Sequence, residues 1–214
     1  MATYESGING PIKGKVGPVI GSSWKGINYI KSLPRRKKNE NPSVAQIGQR
    51  EKFKIIGRFM KVLTEVISLG FNKNLPGDTG YNNATAYVLK NALDTTTSPF
   101  SIRYSKVLVT RGEYPNDDNI TAAPGAPGKL LFQWENTTGV GAAKANDKVV
   151  IIAYSSSQNK MTFNSDTAIR SDSSATLDID NFKGQLVETY ISFLKADGSD
   201  VSSSIYTGQV LVAA

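Results

Sequence analysis

The chain of 214 residues contains 25 Lys and Arg against 18 Asp and Glu, and it contains neither cysteine nor histidine. The missing thiol excludes disulfides, zinc–thiolate centres and thiol nucleophiles, and the missing imidazole excludes the Ser-His-Asp triad and histidine-ligated metals. Because no cofactor motif is found either, the sequence favours a protein that is not an enzyme and predicts no resident cofactor or metal.

The charge is unevenly distributed along the chain. Residues 1–75 contain 14 Lys and Arg against 4 Asp and Glu, a net charge of +10, whereas the rest carries a net charge of −3. The basic part suits an anionic partner. No signal peptide is recognised in residues 1–10, and no apolar run approaches the roughly 20 residues that cross a bilayer. A cytoplasmic location is the default expectation, and leaderless export or a phage particle would fit equally.

Residues 12–32 combine partly alternating apolar and polar positions with several glycines. This pattern predicts a β-hairpin whose two strands flank a break at residues 21–23. The glycines indicate tight turns or a close approach of two backbones, because the spacing of a phosphate-binding loop does not occur.

A run of cations follows between two prolines and consists of Arg35, Arg36, Lys37 and Lys38. A solvated loop is the simplest interpretation. The alternative is a contact with nucleic acid or an acidic protein, since adjacent cations release counterions when they bind a polyanion. Nearby Trp24 and Tyr29 would stack on bases, although aromatic residues of a hairpin more often belong to a core.

The segment from Ser43 to Leu69 predicts the longest helix of the chain, with a capping box at its start and Gly70 at its end. One face repeats apolar residues at three- and four-residue steps, namely Phe53, Ile56, Met60, Leu63 and Ile67. Cations occupy the other faces. Three of them are candidate partner-binding residues together with the basic run: Arg50, Lys54 and Arg58. A shorter helix is predicted over residues 83–93.

After residue 100 the pattern changes to short apolar runs separated by turn residues. Seven strands are predicted, over residues 102–110, 129–134, 148–154, 161–164, 175–179, 186–194 and 205–212. The last two form the best-defined hairpin, around Asp197-Gly198. Trp134 resembles the buried tryptophan of a sandwich core.

These elements predict a protein that is mainly β with α. Residues 1–99 form a basic region with a β-hairpin, one long helix and one short helix. Residues 100–214 form an immunoglobulin- or fibronectin-III-like β-sandwich.

Three stretches carry a family resemblance: GPIKGKVGPVIGSSWKGINYIKSLP, NPSVAQIGQREKFKIIGRFM and YISFLKADGSDVSSSIYTGQ. In them the chain resembles a family of uncharacterised Bacteroidetes proteins of about 200 residues, a domain of unknown function. The resemblance extends over the whole chain, implies a bacterial origin and is compatible with an immunoglobulin-like C-terminal half. It implies no activity and no site residues.

Three functions are open at this point. The leading hypothesis is a structural or protein-interaction module whose partner is an unknown protein, another copy of the chain, or a component of a phage-like or cell-surface assembly. The first alternative is nucleic-acid binding by the basic N-terminal half. The second is a carbohydrate- or Ca²⁺-binding module. Glu113, Glu135 and Glu188 are candidates for the carboxylate pair of a glycosidase. The turn residues Asp197, Ser199 and Asp200, or Asp178 with Asp180, are candidates for oxygen ligands of Ca²⁺.

Overall fold

The computed structural model describes residues 3–4, 10–34, 41–71, 79–96 and 99–214. The chain divides into two compact units, residues 1–45 and 46–214. The predicted division at residues 99 and 100 differs from this one, because the helices pack against the sandwich in the second unit. Among the described helices, none is both long and apolar enough to span a membrane.

The first unit contains one antiparallel sheet with the strand order β1-β2-β3-β4. Its strands are β1 (Thr3–Tyr4), β2 (Ile12–Val16), β3 (Val19–Trp24) and β4 (Ile27–Ser32). Two-residue turns join β2 to β3 and β3 to β4, and positive φ angles at Gly17, Lys25 and Gly26 make these turns possible.

The predicted two-stranded hairpin was wrong, because residues 21–23 lie within β3 and form no turn. Gly21 is the residue that permits the close pairing of β2 and β3. A Cβ atom at this position would overlap the main-chain oxygen of Ile12. The prediction of a close backbone approach was therefore correct, whereas the predicted position of the turn was wrong.

Three helices follow, α1 (Val44–Val62), α2 (Thr64–Gly70) and α3 (Gly80–Asn91), and all but the first two residues of α1 belong to the second unit. The single long helix that was predicted is interrupted at Leu63, which is fully buried and lies between α1 and α2. Helix α3 starts earlier than predicted, because Thr79 is its N-cap and accepts a hydrogen bond from the amide of Asn82 at 3.2 Å. Two short strands, β5 (Leu93–Asp94) and β6 (Ser101–Ile102), pair after α3.

The rest of the unit is a β-sandwich of two antiparallel sheets, with the strand orders β11-β8-β7 and β10-β9-β12-β13. The strands are β7 (Asp118–Pro124), β8 (Lys129–Glu135), β9 (Lys148–Ser155), β10 (Lys160–Asn164), β11 (Ser174–Asp178), β12 (Leu186–Leu194) and β13 (Ile205–Leu211). Apolar residues of both sheets, among them Leu130, Phe132, Ile151 and Phe193, form the core between them. The predicted fold class, mainly β with helices and a β-sandwich, is confirmed.

One predicted strand is absent from the sandwich and one was missed. Of residues 102–110, Ile102 belongs to β6, and the others form a 3₁₀ turn at Tyr104–Lys106 followed by irregular backbone. Side chains of the β12–β13 loop hold this segment, since Ser204 Oγ accepts a hydrogen bond from the amide of Val109 at 2.9 Å. The missed strand, β7, is alanine-rich, ends in proline and lies at a sheet edge, where a missing N–H is tolerated.

The three helices cover the outer face of the sheet β10-β9-β12-β13, so the unit has three layers. Buried residues of α1, such as Phe59 and Met60, share an apolar core with Ile152 and Tyr154 of β9 and Tyr190 of β12. Alternate residues of β9 and β12 thus contribute to two different cores. This explains why both strands are buried almost without interruption, whereas β8 and β11 alternate between buried and exposed residues.

Candidate interaction surface

The exposed side of helix α1 is strongly cationic. Arg50, Lys54, Arg58 and Lys61 are all exposed, and their spacings of four, four and three residues place them on one face of the helix. We call these four residues the basic face. Among the described residues, no carboxylate lies within ion-pair distance of any of them. The positive charge of this surface is therefore not neutralised within the described part of the chain.

The predicted partner-binding residues fall into two groups. Arg50, Lys54 and Arg58 lie together on the basic face, although a role in binding stays a prediction. The basic run of Arg35, Arg36, Lys37 and Lys38 lies outside the described residues.

The N-terminal part of α1 has no buried residue. Burial begins at Ile56, and residues 44–55 are exposed or partly exposed throughout. Apolar side chains are among them, with Val44 at 87%, Ile47 at 44% and Phe53 at 50% exposure. The assignment of Phe53 to the core face was wrong, because the helix contacts the sandwich only in its C-terminal half.

The C-terminal half of α1 is held firmly by aromatic packing. The ring of Phe59 meets Tyr104 and Tyr154 edge-on, at centroid separations of 5.9 and 5.0 Å. The main-chain oxygen of Arg58 also accepts a hydrogen bond from Asn159 Nδ2 at 3.5 Å. These contacts fix the direction in which the basic face points.

A cleft of about 300 Å³ lies beside Arg58, between α1 and the end of β9. Its wall includes the aromatic rings of Phe59, Tyr104 and Tyr154, and its polar groups include Ser156 and Asn159. Burial raises the pKa of both tyrosines above the usual value. Both phenols are thus protonated at neutral pH and take part in the cleft as hydrogen-bonding groups, as Tyr154 does toward Asn159 Oδ1 at 3.0 Å.

A buried ionic cluster lies at the opposite end of β9, and the sequence analysis missed it. Arg170 has no exposed side-chain surface and contacts Asp117 and Asp147, which are equally buried. Its guanidinium lies 4.4 Å from the ring centroid of Phe193. Tyr114 donates a hydrogen bond to Asp147 Oδ2 at 2.8 Å. This cluster ties together three loops of the sandwich and has a structural role.

Two of the acidic residues considered for metal or sugar binding, Asp197 and Glu188, have partners of their own. Asp197 accepts hydrogen bonds from the amide of Ser199 at 2.8 Å and contacts Lys195 Nζ at 2.9 Å, and these contacts hold its pKa below the usual range. Glu188 is buried and accepts hydrogen bonds from Tyr206 and Gln209. The contacts of Asp197 are those of a turn-forming residue.

A family model described as a family of unknown function (DUF6266) matches residues 11–208. This confirms the resemblance to a family without a known function, and the Bacteroidetes origin stays an expectation. No curated protein matches the chain.

Two solved structures are similar to about half of this chain. The fn3 domain of the human collagen alpha-1(XX) chain is 16% identical, with a TM-score of 0.35 over 48% of this chain and 87% of that chain. The FN1–FN3 domains of chicken CNTN1 are 10% identical, with a TM-score of 0.35 over 49% of this chain and 36% of that chain. The sandwich architecture itself rests on the two sheets described above.

Proposed function

The chain belongs to the family of unknown function DUF6266, and from its structure we propose that it is a non-enzymatic interaction module that docks an acidic protein surface through helix α1. The sandwich and helices α2 and α3 are the scaffold in this proposal. The N-terminal part of α1 and the basic face are the contact surface.

The observation that supports the proposal is the exposure of residues 44–55, the N-terminal part of α1. They form three turns of helix without one buried residue, and three large apolar side chains among them are exposed. Isolated helices of this length are marginal in water, and most helices are stabilised by packing of an amphipathic face. A covering partner would supply that packing.

The charges of the basic face support the same conclusion. Arg50 and Lys54, and again Lys54 and Arg58, are like charges four residues apart, which destabilise a helix by about 0.2–0.5 kcal/mol per pair. Acidic groups of a partner would attract these cations, offset their mutual repulsion and accelerate association. Electrostatics therefore favour a partner with an acidic surface.

The neighbouring apolar residues favour a protein over a polyphosphate as partner. Ile47 and Phe53 flank Arg50 at three-residue steps on either side, so apolar and cationic groups share one patch. Phenylalanine and arginine are typical of the buried centre of protein interfaces. A second copy of the chain is one such partner, because residues 76–214 carry a net charge of −3.

Binding to acidic peptides tests the proposal. Peptides that combine glutamate with leucine and phenylalanine should bind the wild-type chain, and affinity should fall as salt is added. The triple variant Arg50→Glu/Lys54→Glu/Arg58→Glu should lose this binding. Phe53→Ser should weaken it without changing the salt dependence, because a neutral side chain is lost.

A matched control has the same change in net charge on the sandwich, Lys129→Glu/Lys144→Glu/Lys160→Glu, at three exposed lysines. It should bind the peptides as the wild type does. Equal peptide binding by the α1 triple variant and the wild type would refute the proposal, and so would tighter binding of the basic face to duplex DNA than to the peptides.

A further inference from the structure

The sheet of the first unit is open to solvent. Within residues 10–34 only Gly21 is buried. The same segment contains four lysines and no aspartate or glutamate. An apolar and cationic sheet surface of this kind is typical of a binding platform.

The register of the strands places the aromatic and cationic residues on one face. Trp24 pairs with Ile27, Ser22 with Tyr29, and Ile20 with both Lys31 and Lys15, and directly paired residues point to the same side of a sheet. We call this the aromatic–lysine face and define it as Lys15, Ile20, Trp24, Ile27, Tyr29 and Lys31.

The rings of this face are accessible. Trp24 is 49% exposed, Ile27 63% and Tyr29 40%. The ammonium of Lys31 lies 5.9 Å from the ring centroid of Tyr29, so a cation and a ring already stand side by side. The opposite face carries glycines 14 and 21 in place of side chains and presents no aromatic residue between Ile12 and Ser32.

We propose that the aromatic–lysine face binds single-stranded nucleic acid, with bases stacked on Trp24 and Tyr29 and phosphates contacted by Lys15 and Lys31. Trp24 and Tyr29 are diagonal neighbours on adjacent β-strands, and such neighbours are about 7–8 Å apart. At this separation each ring can stack on a different base of the same nucleic-acid chain. Aromatic rings on an open sheet stack unpaired bases, and every base offers a ring face.

Charge complementarity selects this ligand. An acidic protein segment would satisfy the lysines but offers a planar ring only where it contains an aromatic residue, whereas a single strand offers a phosphate and a base in every repeat. A duplex offers phosphates alone, because its base faces are stacked inside. The aromatic–lysine face and the basic face of α1 have no residue in common, so each proposal is tested independently of the other.

Intrinsic fluorescence reports on the site directly. The chain has two tryptophans, and Trp134 is only 4% exposed while its indole donates a hydrogen bond to the main-chain oxygen of Arg170 at 2.8 Å. Titration with oligo(dT) at low salt should therefore quench the signal of Trp24. Duplex DNA of equal length should produce little quenching.

Variants separate stacking from charge. Trp24→Leu and Tyr29→Leu, followed by anisotropy of a labelled oligo(dT), should each weaken binding about ten-fold, while Tyr29→Phe keeps the ring and should stay within about two-fold. Lys15→Ala and Lys31→Ala should each reduce the slope of log K against log salt by about 0.7.

Two controls make the test decisive. Ile30→Ser changes a 61% exposed residue on the opposite face and should leave oligo(dT) binding unchanged. The triple variant of the basic face should retain the quenching of Trp24, which distinguishes this site from the α1 surface.

Equal affinity for duplex and single strand, or full affinity in Trp24→Leu, would overturn the proposal. So would a sedimentation shift caused by Trp24→Leu without any effect on oligo(dT), since a second copy of the chain would then be the occupant of this face.

Discussion

Arg170 Nη1 contacts Asp117 Oδ1 at 2.5 Å, and neither side chain has any exposed surface. Asp147 completes the cluster, with its Oδ2 at 3.2 Å from Arg170 Nε. Trp134 and Phe193 pack around it. Three charges thus lie within the loops at one end of the sandwich, where each depends on its partners for the hydrogen bonds that water would otherwise provide.

Removal of one member of this cluster should be costly. Asp117→Ala should lower the free energy of unfolding by about 3–5 kcal/mol, because it leaves the Arg170 guanidinium short of a buried partner. Urea denaturation measures the loss. Lys148→Ala, which breaks the exposed Lys148–Asp166 pair, should cost less than about 1 kcal/mol. Similar losses in the two variants would contradict a structural role for the cluster.

Alkaline pH should destabilise the fold through Tyr114. Burial, together with the hydrogen bond to Asp147 and the charge of that residue, raises the pKa of Tyr114 from 10.0 to about 12. Because the folded state retains this proton more tightly than the unfolded state, its stabilising effect is complete below pH 10 and is lost as the pH rises through 12.

Tyr114→Phe removes this titration, so its stability should fall less steeply between pH 10 and 12 than that of the wild type. Thermal unfolding in a pH series measures the difference. The exposed tyrosine variant Tyr81→Phe should follow the wild-type curve. Parallel curves for Tyr114→Phe and the wild type would show that another group controls the alkaline transition.

The helices and the sandwich should unfold together. Phe59→Ala should cost about 3–5 kcal/mol, since the ring is buried between α1 and the sheet, and helical and sheet signals should be lost in one transition. A fragment of residues 41–214 should fold.

A fragment of residues 100–214 exposes Val150, Ile152 and Tyr190 and should bind a hydrophobic dye and aggregate. A soluble, cooperatively folded 100–214 fragment would instead support the domain boundary predicted from the sequence.

Two glycines should respond to alanine in opposite directions. Gly57 lies in α1 with no atom near the position of a Cβ, so Gly57→Ala should stabilise the second unit by up to about 1 kcal/mol. Gly21→Ala forces β2 and β3 apart and should abolish amide protection in the first sheet. Hydrogen exchange distinguishes the two outcomes, and unaltered protection in Gly21→Ala would show that the pairing of β2 with β3 is looser than described.

Six of the seven sandwich strands could be predicted from the sequence, because runs such as Lys148–Ser155 and Leu186–Leu194 are long, apolar and bounded by turn residues. The segment around Val107 and Val109 imitates a strand, since it is a short apolar run of strand length. The amides of Val109 and Thr110 bond to the side chain of Ser204 in the β12–β13 loop, however, and composition alone does not reveal this.

The sites were less predictable than the strands. Cations at Arg50, Lys54 and Arg58 were visible as a helical pattern, and their exposure followed from it. Arg170 gave no signal, because its acidic partners are 23 and 53 residues away in sequence and arginine is ordinarily a surface residue. Trp24 and Tyr29 were ambiguous between core and surface, since local alternation does not show which face of a sheet stays exposed.

Strands β9 and β12 are covered on both faces, and this limits the substitutions that they can accept. In β8 and β11 every second position faces solvent and should accept polar substitutions. Tolerance to substitution in these strands should therefore alternate with a period of two residues. Strands β9 and β12 have almost no permissive position. In a library of single substitutions, we expect these two strands to stand out as continuous blocks of intolerant positions.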